Sequence, residues 1–212
     1  MKSQLTLGPI LLYWPVVEKR DFYFRIADEA NIDTVYLGEV VCSKRIPFTE
    51  QIYPEVIERL QAAGKKIVLS TLAEVTIKYD SKSVESICAM EDILVEANDG
   101  SALSYLSGRP HAIGPFINVY SEDTLSFLAS KGAIHVTLPP ELPSDAIATL
   151  GKKARELGVT LETQVYGRIP LALSTRCYHA RAHGHVKDTC QFVCEQDPDG
   201  MVLKTLKNES FL

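Results

Sequence analysis

Three of the five cysteines and three of the five histidines of this 212-residue chain fall within residues 176–200. Twelve residues separate Cys177 from Cys190, and three separate Cys190 from Cys194. Thiolates are soft ligands, and a clustered set in a reducing compartment reads as metal binding or catalysis before it reads as disulfides. A fourth thiol, Cys42, follows Gly38-Glu39-Val40-Val41 far upstream. Four thiolates suit zinc or an iron–sulfur cluster. Structural zinc sites usually carry two short Cys-x2-Cys knuckles, and only Cys190-x3-Cys194 is short here. Dispersed ligands are compatible with a 4Fe-4S cluster, since each iron takes one cysteine. Spacing alone leaves the cluster, zinc and no metal open. The Cys-x3-Cys-x2-Cys triplet of radical enzymes is absent. His179, His183 and His185 could join Cys177 on zinc. A polar loop rich in Arg, His and Gly is more often solvated, and that reading is preferred because four cysteines already complete a tetrahedral set. Cys88 lies among Val84, Ile87 and Met90 and reads as a small buried hydrophobe.

These residues need a scaffold that brings distant loops together. Short apolar, β-branched runs alternate with helical patterns along the chain. Strands are expected over 5–13, 34–41, 66–71, 93–97, 112–118, 134–138 and 160–166. Helices are expected over 17–30, 50–63, 81–89, 121–131 and 144–157, with a helical turn over 100–106. Pro54 fits a first helical turn, and Ser121 and Ser144 are placed as N-caps. Strands alternating with helices at roughly 30-residue spacing argue for parallel βαβ units. The fold class is therefore α/β, a (β/α) TIM-barrel-like parallel barrel. A full eight-unit barrel needs about 250 residues, so the barrel is incomplete in this chain or the chain is a fragment. The tail, 201–212, could start a further strand. One domain is expected over 1–212, with 176–200 as its cysteine-rich loop.

In parallel α/β folds, active residues collect beyond the carboxyl ends of the strands. Cys42 follows the second expected strand, and Cys177 to Cys194 follow the seventh. A barrel would open both onto one rim. Glu39 at the second strand's end could act there or simply pair with Lys44 or Arg45. Glu96 and Asp99 after the fourth strand, and Asn118 and Tyr120 after the fifth, are further rim candidates, each as readily a cap or ion pair. Arg168 and Arg176 flank the cysteine stretch. No GxSxG elbow, P-loop, HExxH or GxGxxG occurs.

Net charge is −5, which gives no basic footprint for nucleic acid. No DNA partner is expected. No apolar run is long enough for a transmembrane helix, and the opening Met1-Lys2-Ser3-Gln4-Leu5-Thr6-Leu7-Gly8-Pro9 makes a poor signal peptide. A cytoplasmic location is the default expectation.

The residues also carry a resemblance. Leu7-Gly8-Pro9 with Tyr13-Trp14-Pro15, Tyr36-Leu37-Gly38-Glu39-x-Val41-Cys42-Ser43-Lys44-Arg45, and Val68-Leu69-Ser70-Thr71-Leu72-Ala73 resemble the UbiV-like family of ubiquinone-biosynthesis proteins. So does Tyr166-Gly167-Arg168-Ile169-Pro170-Leu171-Ala172 running on to Arg176-Cys177 and Cys190-x3-Cys194. This family belongs to the collagenase-like U-type peptidase superfamily. The resemblance covers essentially the whole chain, and the family pattern continues beyond residue 212.

The resemblance implies a 4Fe-4S cluster on Cys42, Cys177, Cys190 and Cys194. It implies a heterodimer with a UbiU-like protein, a UbiT-like lipid carrier as accessory partner, and a role in oxygen-independent hydroxylation of a ubiquinone precursor. Prephenate is the suggested hydroxyl donor in this superfamily. The alternative is a collagenase-like peptidase or RNA-hydroxylation factor of the same superfamily. The peptidase signature expects Glu, Phe, Gly, Cys, then Gly-x-Cys. Glu162 and Gly167 fit it, but Gln164, Pro170 and Thr175 stand where Phe, Cys and Gly are expected. The signature's first cysteine is lost, Cys42 would supply the fourth ligand, and protease activity is not expected.

Overall fold

Parallel strands in sequence order form the frame. The computed structural model describes residues 3–170 and 172–210. Met1 and Lys2 of the N-terminal reading, Leu171 of the matched motif, and Phe211 and Leu212 of the tail lie outside the described residues. Among the described residues one sheet has the order β1 (Thr6–Leu7), β2 (Thr34–Leu37), β3 (Lys66–Ser70), β4 (Leu94–Ala97), β5 (His111–Ile113), β6 (Ala133–Thr137) and β7 (Thr160–Glu162). Every neighbouring pair is parallel. The connections carry α1 (Val16–Glu29), α2 (Ile46–Thr49), α3 (Tyr53–Ala62), α4 (Lys78–Cys88), α5 (Gly100–Leu106), α6 (Glu122–Ser130) and α7 (Ser144–Leu157). A last short helix, α8 (Tyr178–Ala182), follows β7.

The helices bury one stripe each against the sheet. Lys19, Tyr23 and Ala27 of α1 and Val56 and Leu60 of α3 recur at four-residue spacing and are buried. All but Lys19 join Val35, Leu37, Ile67 and Leu69 in one apolar cluster. Val84 and Cys88 of α4, Leu125 of α6 and Leu150 and Ala154 of α7 build a second cluster with Val95, Ile113 and Val136. Cys88 is thus the small core residue its context predicts. The other face of the strands carries Tyr36, Val68 and Ala112, which pack together with Leu94. The Tyr36 hydroxyl donates to Glu162 Oε2 at 3.1 Å. A contact between β2 and β7, at nearly opposite ends of the strand order, requires a curled sheet. The architecture is an open, incomplete (β/α) barrel, as the unit rhythm implies.

Several strands end sooner than the apolar runs. β1 stops at Leu7, before Gly8 and Pro9, where Pro9 has no N–H for a ladder. β2 stops at Leu37 because Gly38 adopts φ +136°, and a Cβ there would stand 2.4 Å from the Ser70 carbonyl oxygen. β5 stops before Gly114, where a Cβ would meet the Asn98 side chain at 1.8 Å. β7 stops at Glu162, and residues 163–170 are exposed. α4 begins earlier than expected. The Asp80 carboxylate accepts from the Thr76 and Ile77 backbone N–H groups at 2.9 and 3.1 Å, which fixes the helix start there. Ser121 caps α6 as expected, accepting from Thr124 N at 3.2 Å. Ser144 does not cap α7. It is the first helical residue, after Pro143, with no side-chain cap bond. The tail makes one isolated antiparallel bridge, Lys204 to Ser210, in place of an eighth strand. No helix is long and apolar enough to cross a membrane among the described residues.

Candidate functional site

Cys42 sits on the loop that leaves β2 at the carboxyl end of the sheet, and Glu39 shapes that loop. Its Oε1 accepts from the backbone N–H groups of Val41 and Cys42, both at 3.0 Å. Arg45 Nη2 lies 3.4 Å from the same oxygen, and both side chains are almost fully buried. Arg45 Nη1 also donates to the Leu11 carbonyl at 3.1 Å, and its guanidinium lies 5.9 Å from the Tyr13 ring. The carboxylate therefore holds the turn carrying Cys42, and the buried cation ties that turn to the segment after β1. Glu39 pairs with Arg45, one of its two expected partners. Lys44 points elsewhere.

The cysteine-rich stretch folds into short pieces. Cys177 precedes α8, and its sulfur accepts from Ala180 N at 3.4 Å. Cys190 follows a 3-10 turn at Lys187–Thr189, and Cys194 lies in another at Val193–Gln196. Three contacts fasten these pieces to the other end of the chain. Lys44 Nζ donates to the carbonyls of Lys187 at 2.6 Å and Asp188 at 3.1 Å. Phe192 packs edge-on against Phe48 at 5.0 Å and near Tyr13 at 6.1 Å. Trp14 Nε1 donates to the Pro198 carbonyl at 2.9 Å. Phe192, with φ +54°, holds a left-handed conformation that a non-glycine residue keeps when its surroundings fix it.

The four thiols occupy different environments. Burial pushes the Cys42 thiol up, and Arg45 and the Lys44 backbone N–H oppose the shift. Burial also raises Cys194, with Arg45 opposing and the charges of Cys42 and Cys177 adding to the rise. Cys194 thus lies within electrostatic reach of Cys42, Cys177 and the buried Arg45. Cys190 is placed by the turn whose carbonyls Lys44 holds. Burial lifts Cys88 to about 11, and it sits in the helix-side core. Arg45 favours the thiolate form of Cys42 and Cys194, against the larger effect of burial. Tetrahedral zinc, with Zn–S near 2.3 Å, holds its sulfurs about 3.8 Å apart. No three of these sulfurs come within 4.8 Å of one another among the described residues. The donor set, four cysteines, is one that an iron–sulfur cluster or zinc can use.

The histidines depart from the solvated reading. His179 Nε2 and His183 Nε2 lie 2.8 and 2.9 Å from Asp197 Oδ2. Their rings stack at 5.2 Å with 14° between planes. The hydrogen bond from His183, with that from His179, holds the Asp197 carboxyl below the usual carboxylate range. His185 is outside this group.

The inside of the curled sheet carries polar groups beside the apolar Val68, Ala112 and Leu94. Glu162 Oε2 receives Tyr36 and lies 3.2 Å from His135 Nε2. Glu96 is buried and accepts from Asn98 Nδ2 at 2.9 Å. Burial pushes its pKa up, and the Glu162 charge adds to the rise. Of the rim candidates, Glu96 thus faces the interior. Asp99 caps α5, accepting from Ser101 N at 2.8 Å. Asn118 takes a left-handed turn, and the exposed Tyr120 bonds Glu141. Arg168 and Arg176 are exposed. Tyr36, Lys44 and Arg45 lie in the motif around Cys42, whereas Phe192, Asp197 and His135 matter to the site yet carry no motif. The lone signal was their place at strand ends or within the cysteine stretch.

Two solved structures are similar to this chain, and the first shares its fold. One is an enolase, a putative galactarate dehydratase from Agrobacterium radiobacter with bound sodium and L-malate. It is 11% identical with a TM-score of 0.51, over 76% of this chain and 44% of that one. The other is an uncharacterized B. cereus protein, 13% identical with a TM-score of 0.46, over 76% of this chain and 47% of that one. The chain spans less than half the length of either. The sequence model of Peptidase family U32 matches residues 23–200, from α1 through the cysteine-rich stretch. With most of its length matched, the chain belongs to peptidase family U32.

Proposed function

We propose that Cys42, Cys177, Cys190 and Cys194 hold a 4Fe-4S cluster. On this reading the chain works with a UbiU-like partner in oxygen-independent hydroxylation of a ubiquinone precursor. A UbiT-like carrier would present the lipid, prephenate would be the hydroxyl donor, and the setting would be the cytoplasm. The observation that carries the reading is the docking of the cysteine-rich stretch on the Cys42 loop through Lys44. The matched residues of the UbiV-like pattern, and the loss of the peptidase signature's first cysteine at Pro170, favour this branch over proteolysis.

When bound, the cluster supplies one-electron transfer at a potential set by hydrogen bonds, charge and exposure. The chain's own residues have separate tasks. The four thiolates would hold the iron. Arg45 offsets their negative charge. Glu39 holds the Cys42 backbone in place. Tyr13, Phe48 and Phe192 cover the junction with apolar surface and limit water. The test is ubiquinone content in cells grown without oxygen. Deleting the gene should lower it, the wild-type gene should restore it, and Cys42→Ala should not. Unchanged ubiquinone in the deletion strain would overturn the biosynthetic reading.

A further inference from the structure

We propose a second metal site, separate from the four cysteines: His179, His183 and Asp197 bind one first-row divalent cation. His179 and His183 are four residues apart on α8 and its last turn, so both imidazoles project from one side. Their Nε2 atoms converge on a single oxygen, Asp197 Oδ2, at 2.8 and 2.9 Å. Donors around an ion at about 2.1 Å stand roughly 3.0–3.4 Å apart. Each nitrogen therefore needs to move only a few tenths of an ångström from the carboxylate oxygen to share an ion with it. The near-parallel rings already aim the same way.

Without metal, each imidazole donates its Nε2 proton to the carboxylate. With metal, both rings carry their proton on Nδ1 and present an Nε2 lone pair. The carboxylate oxygen supplies the third donor. Two imidazoles and one carboxylate suit manganese, iron(II), cobalt or zinc, and three protein donors leave positions for water. The side chains are 19%, 28% and 28% exposed, so solvent and ions reach them. The site also has a structural consequence. α8 begins directly after Cys177, and Asp197 lies three residues after Cys194. An ion here fastens two cysteine-bearing pieces to each other.

This inference does not rest on the cluster reading, and the probe keeps the two apart. Manganese(II) is a poor partner for thiolates and a good one for imidazole and carboxylate. Anaerobically purified protein is titrated with Mn2+ while the free-ion electron paramagnetic resonance signal is followed. The expected result is one Mn2+ bound per chain. His183→Gln and Asp197→Asn should each weaken binding at least tenfold, and His185→Gln should leave it unchanged. Electron spin echo spectra of the wild-type complex should show nitrogen coupling from two imidazoles, which decides the matter even if a variant fails to fold. No bound Mn2+, bound Mn2+ without nitrogen coupling, or equal binding by folded Asp197→Asn would overturn the site.

Discussion

The Tyr36 hydroxyl donates to the Glu162 carboxylate at 3.1 Å, across the interior of the sheet from β2 to β7. The next residues out from these strands lead to Cys42 on one side and to the cysteine-rich stretch on the other. One hydrogen bond therefore reports the curl that the thiol site needs. Tyr36→Phe should cost about 1 kcal/mol, since Glu162 keeps His135 and some solvent. Urea unfolding measures it. A loss several times larger would mean that the curl itself depends on this bond.

Arg45→Met should be far more damaging. It leaves the Glu39 carboxylate buried beside two backbone N–H donors with its closest cation gone. Breaking a buried pair from one side costs roughly 3–5 kcal/mol. The double change Glu39→Gln with Arg45→Met should recover part of that loss in denaturant titrations. A single variant as stable as wild type would show that the pair does not hold the Cys42 turn.

Lys44→Met should separate stability from metal retention. The lysine makes two hydrogen bonds to carbonyls near the surface, so its removal should cost no more than about 1–2 kcal/mol. The cysteine-rich stretch should nonetheless lose its anchor at Lys187 and Asp188. Iron release to a chelator from anaerobically purified protein should be several-fold faster. Equal release rates would remove Lys44 from the account.

Glu96→Gln should show a pH-dependent gain. The native carboxyl has a raised pKa because it is buried, with Glu162 adding to the rise. Below the ordinary carboxylate pKa of about 4.3, native and unfolded chains are both protonated and the full stability is present. As pH rises, the unfolded chain ionises first, and stability is lost until the native pKa is passed. Glutamine has no such ionisation and keeps the acceptor for Asn98. Its melting temperature should exceed wild type at pH 7, and the difference should close near pH 3. A constant difference across that range would contradict the assignment.

The rhythm of the fold was readable because β-branched runs and helical stripes repeat unit by unit. α5 and α7 match the expected spans, and Cys88 lies where its apolar neighbours place it. Strand ends were not readable from hydrophobicity. Gly38 and Gly114 mark the ends of β2 and β5 in the sequence, but the reason, neighbouring groups in the space of a Cβ, is tertiary. The cysteines announced themselves by type. Their supports were readable only in part: the Glu39–Arg45 pair is local, but Lys44 and Phe192 act through contacts with residues more than thirty positions away. Asp197 was missed for a different reason. Asp197-Pro198-Asp199-Gly200 reads as turn chemistry, and nothing in that pattern points back to His179 and His183.

What the four thiols hold is the most direct test of the proposed function. Protein purified without oxygen should be brown, with a broad visible absorption shoulder and about four iron and four sulfide per chain. Cys42→Ala should lose the chromophore as completely as Cys190→Ala does, and Cys88→Ala should keep it. A colourless protein carrying stoichiometric zinc on these cysteines, or a Cys42→Ala variant that retains its iron, would contradict the central claim.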